Sequence, residues 1–381
     1  MNGNIKKQRV VVKIGSSSLT NSHGGLSQDK LNKHVKAIVA LRKQGHEVLL
    51  VSSGAVATGF TLLGYPSRPA TIEGKQAAAA VGQGLLIQAY NDAFSKYGLA
   101  VAQILITRID FSKRQQYNNV YNTLSVLLKR GIIPIINEND TVAIDELTFG
   151  DNDMLSALVA GLIHADTLVI LTDADGLYDS DPRVHPHAKK FKQVDEITPE
   201  IEALATASGS SVGTGGMKSK ILATKLALSL GVHVFIGTGN GKETLTDILE
   251  GKGKGTYFGH SLLSTLKSKK QWIAFHSDTN GQIIIDEGAA FALIHGGKSL
   301  LPAGVTHVDG NFLPGEVVEV YSKDGHLLGK GLINYSSAQL KEVQGNSTEY
   351  AKNHLDIERI EVIHRDDWVA LQEKIQEVVT K

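Results

Sequence analysis

The chain has 381 residues, with 39 Lys+Arg against 39 Asp+Glu, so its formal net charge is zero. At ~150 residues per domain, that length implies two or three domains. A hydrophobic content of 42% excludes a mainly disordered chain, and the charge balance argues against a generic binder of nucleic acid or membrane surfaces, which would carry excess Lys and Arg. With no cysteine, disulfides, thiolate zinc sites and cysteine nucleophiles are excluded, and a reducing cytoplasm is compatible. The stretch from Met1 to Gln8 is polar and lacks the apolar core of a signal peptide. No apolar run reaches the ~18 residues of a membrane helix. The expectation is a soluble, cytoplasmic protein without a membrane partner.

In chain order, short apolar runs occur at Val10–Ile14, Val48–Val51, Val101–Ile106, Ile132–Ile136, Thr167–Leu171 and Val232–Ile236. Most are continuous rather than alternating, as strands covered on both faces are. Helical spacing lies between them: Leu31, Val35, Ile38 and Arg42; Tyr117, Tyr121, Leu124 and Leu128; Leu222, Leu226 and Leu230. Strands alternating with helices predict an α/β fold with a mostly parallel sheet between helix layers. The pattern breaks at Gly251-Lys252-Gly253-Lys254-Gly255, read as a loop, with helix and linker to about Phe275. From Asp278 short β runs follow at Gln282–Asp286, Phe291–Ile294, Glu316–Tyr321 and Leu327–Asn334, with turn signals at Asp309-Gly310 and Asp324-Gly325. The predicted organisation is a first domain over 1–265, a small β-rich domain over 277–364 and a terminal helix over 365–381, the last from the helical spacing of Trp368, Leu371, Ile375 and Val378.

Ligands of parallel α/β sheets bind beyond the carboxyl ends of the strands, so the residues after each run carry the chemistry. Lys13 sits in an apolar strand just before Gly15-Ser16-Ser17-Ser18. A buried, unpaired ammonium is unfavourable, which points to a polar site, though a snorkelling lysine beside a serine turn is the plain alternative. Ser52-Ser53-Gly54-Ala55 after the second run reads equally as an anion site at a helix start or as an ordinary N-cap. Asn137-Glu138-Asn139-Asp140 and Gly150-Asp151-Asn152-Asp153 are dense clusters of acids and amides. Such clusters repel unless a cation, an amine or lysines neutralise them, and helix capping explains one aspartate, not the set. Thr172-Asp173 follows the fifth run and suits a nucleotide or a plain turn. His185-Pro186-His187 has no third ligand at convincing spacing and reads as a surface turn. Gly213-Thr214-Gly215-Gly216-Met217-Lys218-Ser219-Lys220 exposes backbone N–H groups at a helix start, a cradle for phosphate with Lys220 one turn in. Neither G-x-x-x-x-G-K-[ST] nor G-x-G-x-x-G is present; Gly237-Thr238-Gly239-Asn240-Gly241-Lys242 misses the former in spacing and in Glu243.

Together, Val11-Val12-Lys13-Ile14-Gly15-Ser16, Ser52-Ser53-Gly54-Ala55, Asn137 to Asp140, Gly150 to Asp153 and Gly213 to Met217 resemble the amino acid kinase family in its glutamate 5-kinase pattern. The resemblance covers nearly the whole chain, and the C-terminal part resembles a PUA domain. It departs modestly: Ser219 stands where Thr is usual, and the chain continues past His364-Arg365-Asp366-Asp367. The resemblance implies transfer of the γ-phosphoryl of ATP to the side-chain carboxylate of L-glutamate, the first step of proline biosynthesis. It implies that Lys13 and Lys220 stabilise the transferring group, that Asp153 orients them, and that Gly15 and Gly54 offer N–H groups. Ser53, Asp140 and Asn152 would hold glutamate. Lys13, Thr172, Asp173, Thr214, Gly215, Gly216, Met217, Lys218, Ser219 and Lys220 would hold the nucleotide. Mg2+ would ride on the ATP phosphates without protein side-chain ligands. Proline would be a feedback inhibitor overlapping the loop from Glu138 to Asp151, and a homo-oligomer, dimer or tetramer, is expected.

Two alternatives stand beside it: another carboxylate or phosphate kinase of the same family, and an RNA-binding protein acting through the PUA-like part. The second is disfavoured by charge. Ser277 to Lys381 holds 9 Lys+Arg and 16 Asp+Glu, net −7, which leaves 30 and 23, net +7, for Met1 to His276. An acidic tail is poorly suited to phosphate backbones.

Overall fold

The computed structural model describes residues 7–21, 24–142, 152–182, 184–207, 216–239, 244–259, 273, 279–355 and 359–370. The chain forms two compact units, Met1–Asp110 with Asn118–Thr265, and Phe111–Tyr117 with Leu266–Lys381.

In the first unit each expected apolar run is a strand: β1 (Arg9–Ile14), β2 (Glu47–Ser52), β3 (Val101–Ile106), β4 (Ile133–Glu138), β5 (Thr167–Leu171) and β7 (His233–Gly237). Two strands too short to leave a sequence pattern join them, β6 (Gln193–Val194) and β8 (Gly255–Phe258); β8 begins at the last glycine of the expected loop and runs into the stretch where helix and linker were expected. The helices are α1 (Gln28–Lys43), α2 (Ala55–Gly59), α3 (Ile72–Ser95), α4 (Arg108–Ser112), α5 (Arg114–Lys129), α6 (Asn152–Leu162), α7 (Pro199–Ala207), α8 (Met217–Ser229) and α9 (Thr244–Leu249). Ser27 and Thr71 cap α1 and α3 by accepting the N–H groups of Lys30 and Gly74.

The sheet runs β3-β4-β2-β1-β5-β7-β8-β6. Its pairings are parallel except β7 with β8. The chain builds outward from β1 to one side and then returns to β5 on the other, so β1 and β5 meet where the order reverses, the place such sheets bind ligands. Strand parity assigns the faces of β1. Val10, Val12 and Ile14 pack in one core with Leu31, Val35 and Ile38 of α1 and Tyr90 and Phe94 of α3. Lys13 therefore points to the opposite face, where α6 lies against β1.

Helix α6 is buried from Leu155 to Leu162, and α8 packs on it. A Cβ on Gly161 would overlap the Leu230 side chain, so glycine permits that approach. Within α8 the expected stripe holds at Leu226 and Leu230, whereas Leu222 is 41% exposed. The buried face is Lys220, Ile221, Ala223, Thr224, Leu226 and Ala227, and the two residues from Lys220 to Leu222 turn the helix by about 200°, which carries Leu222 to solvent.

The second unit holds β9 (Thr279–Ile285), α10 (Glu287–Ile294), β10 (Val305–Gly310), β11 (Val317–Ser322), β12 (Leu327–Ile333), α11 (Ser337–Val343), α12 (Thr348–His354) and β13 (Ile363–Ala370). Its sheet order is β10-β9-β11-β12-β13, around a core that includes Ile283, Val320, Tyr335 and Trp368. Three expectations change here. Phe291–Ile294 belongs to a helix, because Asp286 caps it by accepting the Ala289 N–H at 2.7 Å. Asp309-Gly310 ends β10 instead of turning a hairpin, with Gly310 opposite Gly281 at a φ of 84°; Asp324-Gly325 does turn β11 into β12. The terminal helix does not begin at 365: Ile363 to Ala370 is a strand, and Trp368 pairs with Gly331 because an open edge of β12 offers a ladder the isolated helix lacks. Residues 371–381 lie outside the described set. Among the described residues no helix is long and apolar enough to cross a membrane.

At the amino ends of the strands, His46 is 1% exposed and its Nδ1 accepts the Gln8 N–H at 3.1 Å. Burial pushes its pKa below the ordinary 6.5, against weaker upward pulls from that hydrogen bond and from Asp166. The unfolded chain then binds more protons than the native one below pH 6.5, so this contribution to stability is complete above that pH and is lost on acidification. We expect urea midpoints to fall between pH 7.5 and 5.5, and to fall less in His46→Gln, whose amide accepts the same N–H without gaining charge. Equal acid sensitivity in both proteins would remove His46 as the cause.

Candidate active site

The carboxyl ends of β1, β2, β4 and β5 come together with the first turns of α6 and α8. At the centre is Asp153, fully buried on α6. Its Oδ1 lies 2.5 Å from the Lys13 ammonium and its Oδ2 lies 3.1 Å from that of Lys220. Ser219 Oγ donates to the same Oδ2 at 3.2 Å. Burial by itself would raise the Asp153 pKa; the charges and hydrogen bonds of Lys13 and Lys220 outweigh it and hold the carboxyl below its ordinary range. Both lysine side chains are nearly as buried, at 6% and 7% exposure.

Each of the three is placed by its own segment. Lys13 is put on the α6 face by strand parity. Asp153 sits in the first turn of α6, where the helix dipole favours an anion. Lys220 sits in the first turn of α8, where the dipole opposes a cation, so Asp153 is what keeps it there. Gly216 stands at the N-cap of α8 without a side-chain cap. The cluster carries two ammoniums and one carboxylate, a surplus of one positive charge at the end of the sheet.

Beside it, Asn152 begins α6. The two hydrogens of its Nδ2 are shared among Ser52 O, Ser53 Oγ and Asn137 Oδ1, each 2.8 Å away. Asn137 Nδ2 in turn donates to Gln83 Oε1 at 2.8 Å. Gly54 follows with φ of 104°, a left-handed conformation that glycine adopts without strain, and it opens α2. Thr172 follows β5, is bound to β7 through its N–H to Gly237 O at 3.0 Å, and donates its hydroxyl to Asp173 at 3.0 Å.

Lys13, Ser219, Lys220 and Asp153 thus share one cluster, and Ser53 and Asn152 share the next. Gly15 and Gly54 border these groups in sequence. Asp140 lines a cavity of about 300 Å³ that Ala55, Ala79, Gln83, Leu105 and Glu138 also line. Burial raises the Asp140 pKa, with Arg68 pulling it the other way. Gly216 and Met217 are partly buried and Lys218 is exposed. Gly150, Asp151, Thr214 and Gly215 lie outside the described residues, as does most of the loop assigned to proline. Sequence reasoning missed Gln83, the acceptor of Asn137, and Tyr90, whose hydroxyl is 3.0 Å from Ser52 Oγ. Their only local signal is a polar atom on the buried side of α3. Among the described residues no group of three carboxylates or imidazoles is placed to hold a metal ion.

The sequence pattern of the amino acid kinase family matches residues 8–238. The chain belongs to the amino acid kinase family. Among its curated relatives, the amino acid kinase named glutamate 5-kinase 1 of Bacillus subtilis is 59% identical over 97% of this chain and 100% of its own length. Glutamate 5-kinase 1 of Bacillus licheniformis is 58% identical over 97% of this chain and all of its own. The glutamate 5-kinase of Bacillus cereus (strain ATCC 10987) is 58% identical over 96%, again with full coverage of the relative. The PUA domain pattern matches residues 281–355, within the second unit, so this amino acid kinase carries a PUA domain.

Removing the shared carboxylate leaves two buried ammoniums facing each other. We expect Asp153→Ala to lower the unfolding free energy by about 3 kcal/mol or more, as breaking buried ion pairs does, measured by urea denaturation. A loss under about 1 kcal/mol, the scale of an exposed pair, would mean that the lysines are hydrated instead.

Proposed function

We propose that the protein is a glutamate 5-kinase: it transfers the γ-phosphoryl group of ATP to the side-chain carboxylate of L-glutamate, giving L-glutamyl 5-phosphate and ADP, the first step of proline biosynthesis. The observation that carries this reading is the Lys13–Asp153–Lys220 cluster, with its surplus positive charge beside the amide set of Asn152 and Ser53.

A carboxylate oxygen attacks the γ-phosphorus, a new O–P bond forms and the bond to the β-phosphate oxygen breaks. The nucleophile is already ionised, so no general base is required. The obstacle is bringing two anions together, and catalysis lies in alignment and charge neutralisation. Lys13 and Lys220 neutralise the charge spreading over the transferring group. Asp153 holds both ammoniums in place and stops them repelling each other. Gly15 and Gly54 offer backbone N–H groups to the phosphoryl oxygens.

Ser53, Asn152 and Asp140 hold glutamate, with the Asp140 carboxylate facing the substrate ammonium. Thr172, Asp173 and the segment from Thr214 to Lys220 hold the nucleotide, the helix start supplying N–H groups to phosphate. Mg2+ would enter this site with the ATP phosphates, since both oxygens of Asp153 are engaged by lysine, and it would supply further charge neutralisation. Proline acts as feedback inhibitor near the loop from Glu138 to Asp151. The protein works in the cytoplasm as a dimer or tetramer. The division that fits this reading is a kinase domain over 1–265 and a PUA domain that begins near 277 and includes the strand Ile363–Ala370, in a C-terminal part whose net charge of −7 disfavours RNA as its partner.

The decisive experiment is ADP release with glutamate among a panel of carboxylate acceptors, with and without proline; no turnover on glutamate would overturn the reading. We expect Lys13→Ala and Lys220→Ala each to lower kcat by roughly a hundredfold or more while KM for glutamate changes little, because both act on transition-state charge. Asp140→Ala should instead raise KM for glutamate, by roughly tenfold if it pairs with the ammonium. Normal turnover in both lysine variants, or unchanged glutamate saturation in Asp140→Ala, would remove those roles.

A further inference from the structure

We infer that Gln83 is a positioning residue for the acceptor substrate: acting through Asn137, it sets which way the amide of Asn152 points. The inference rests on the reading of Ser53 and Asn152 as the residues that hold glutamate.

The argument follows the hydrogen bonds. Gln83 is 9% exposed and Asn137 2% exposed, and Asn137 Nδ2 donates to Gln83 Oε1 at 2.8 Å. The nitrogen end of Asn137 is thereby committed to α3. Its Oδ1 accepts from the Glu138 N–H at 2.9 Å and from Asn152 Nδ2 at 2.8 Å. Asn152 must then present its nitrogen to Asn137, Ser52 O and Ser53 Oγ. The two ends of an amide differ only in being donor or acceptor. This chain of contacts therefore assigns the Asn152 Oδ1 as the atom left to accept, and the Ser53 hydroxyl, already accepting from Asn152, as one left to donate. An acceptor beside a donor is the polarity that an ammonium and a carboxylate require.

Gln83 is well mounted for this task. The residue before it, Gly82, packs backbone to backbone against α2. A Cβ there would overlap Ala55 O and come within 2.6 Å of Gly59 N, and one on Gly59 would overlap Ala78 O. Helix α3 is pinned one residue from the amide it supplies, as a supporting shell must be. The same side chain lines the cavity that holds Asp140. Without Gln83 Oε1, a buried amide nitrogen on Asn137 lacks its acceptor, and the side chain gains by rotating away from Asn152.

The test uses the full chain. Wild type is assayed first with ATP and the acceptor panel. Failure on glutamate but turnover of another acceptor would overturn the glutamate assignment alone, and Gln83 is then judged on that acceptor. In Gln83→Met, which keeps length and loses the acceptor, we expect KM for the acceptor to rise roughly tenfold, the scale of one unsatisfied buried donor, with KM for ATP within about twofold. The thermal upshift caused by glutamate should shrink while that caused by ATP persists. In an Asn137→Ala background the same change should add nothing, because Gln83 acts through that amide. An unchanged KM for the acceptor, an equal rise in both KM values, or additive effects in the double variant would each overturn the inference. If Asn137→Ala does not fold, the KM split and the two thermal shifts of Gln83→Met decide.

Discussion

The active end of the first unit depends on one buried carboxylate shared by two ammoniums. Asp153 is fully buried and each of its oxygens faces a lysine. Remove it in thought and neither lysine has a reason to be where it is. Lys13 would be a buried cation in an apolar strand, and Lys220 a cation at the positive end of a helix. With it, β1, α6 and α8 are tied at one point.

The adjoining residue does a different task with the same geometry. Asn152 and Asp153 are consecutive on α6, and consecutive helical residues point about 100° apart. Asn152 consequently reaches the ends of β2 and β4 while Asp153 reaches β1 and α8. The sheet order β4-β2-β1-β5 lines these partners up side by side. A neutral amide set lies next to a charged set, and the first turn of a single helix serves both.

Much of this was legible in the sequence. All six apolar runs became strands; five are buried along almost their whole length, as continuous apolar runs allow, whereas β3, at the sheet edge, is mostly part-buried or exposed. Lys13 stood out as a charge that an apolar strand does not tolerate alone, and Asp153 as one of a cluster of acids that needs neutralising. Less was legible where local signals were weak or shared. Phe291 to Ile294 is as apolar as a strand, but the Asp286 cap made it helix. Trp368 has helical spacing with its successors, yet pairs with Gly331 on an open sheet edge. Leu222 has the spacing of Leu226 and Leu230, yet it falls just outside the buried face of α8 and is exposed.

The sequence by itself determined the fold class, the glycine-bearing loops at the strand ends and the residue types that a phosphoryl transfer to a carboxylate needs. These follow from periodicity and from the energetics of burying charge, both of which act within a few residues. Only the tertiary structure decided which charges meet. That Asp153 serves Lys13 and Lys220 at once, 140 and 67 positions away, depends on the strand order and on the packing of α8 against α6. The pairing of Gln83 with Asn137, 54 positions apart, depends in the same way on a helix fixed by two glycines. Contacts across such separations are set by how layers pack, and no local pattern records them.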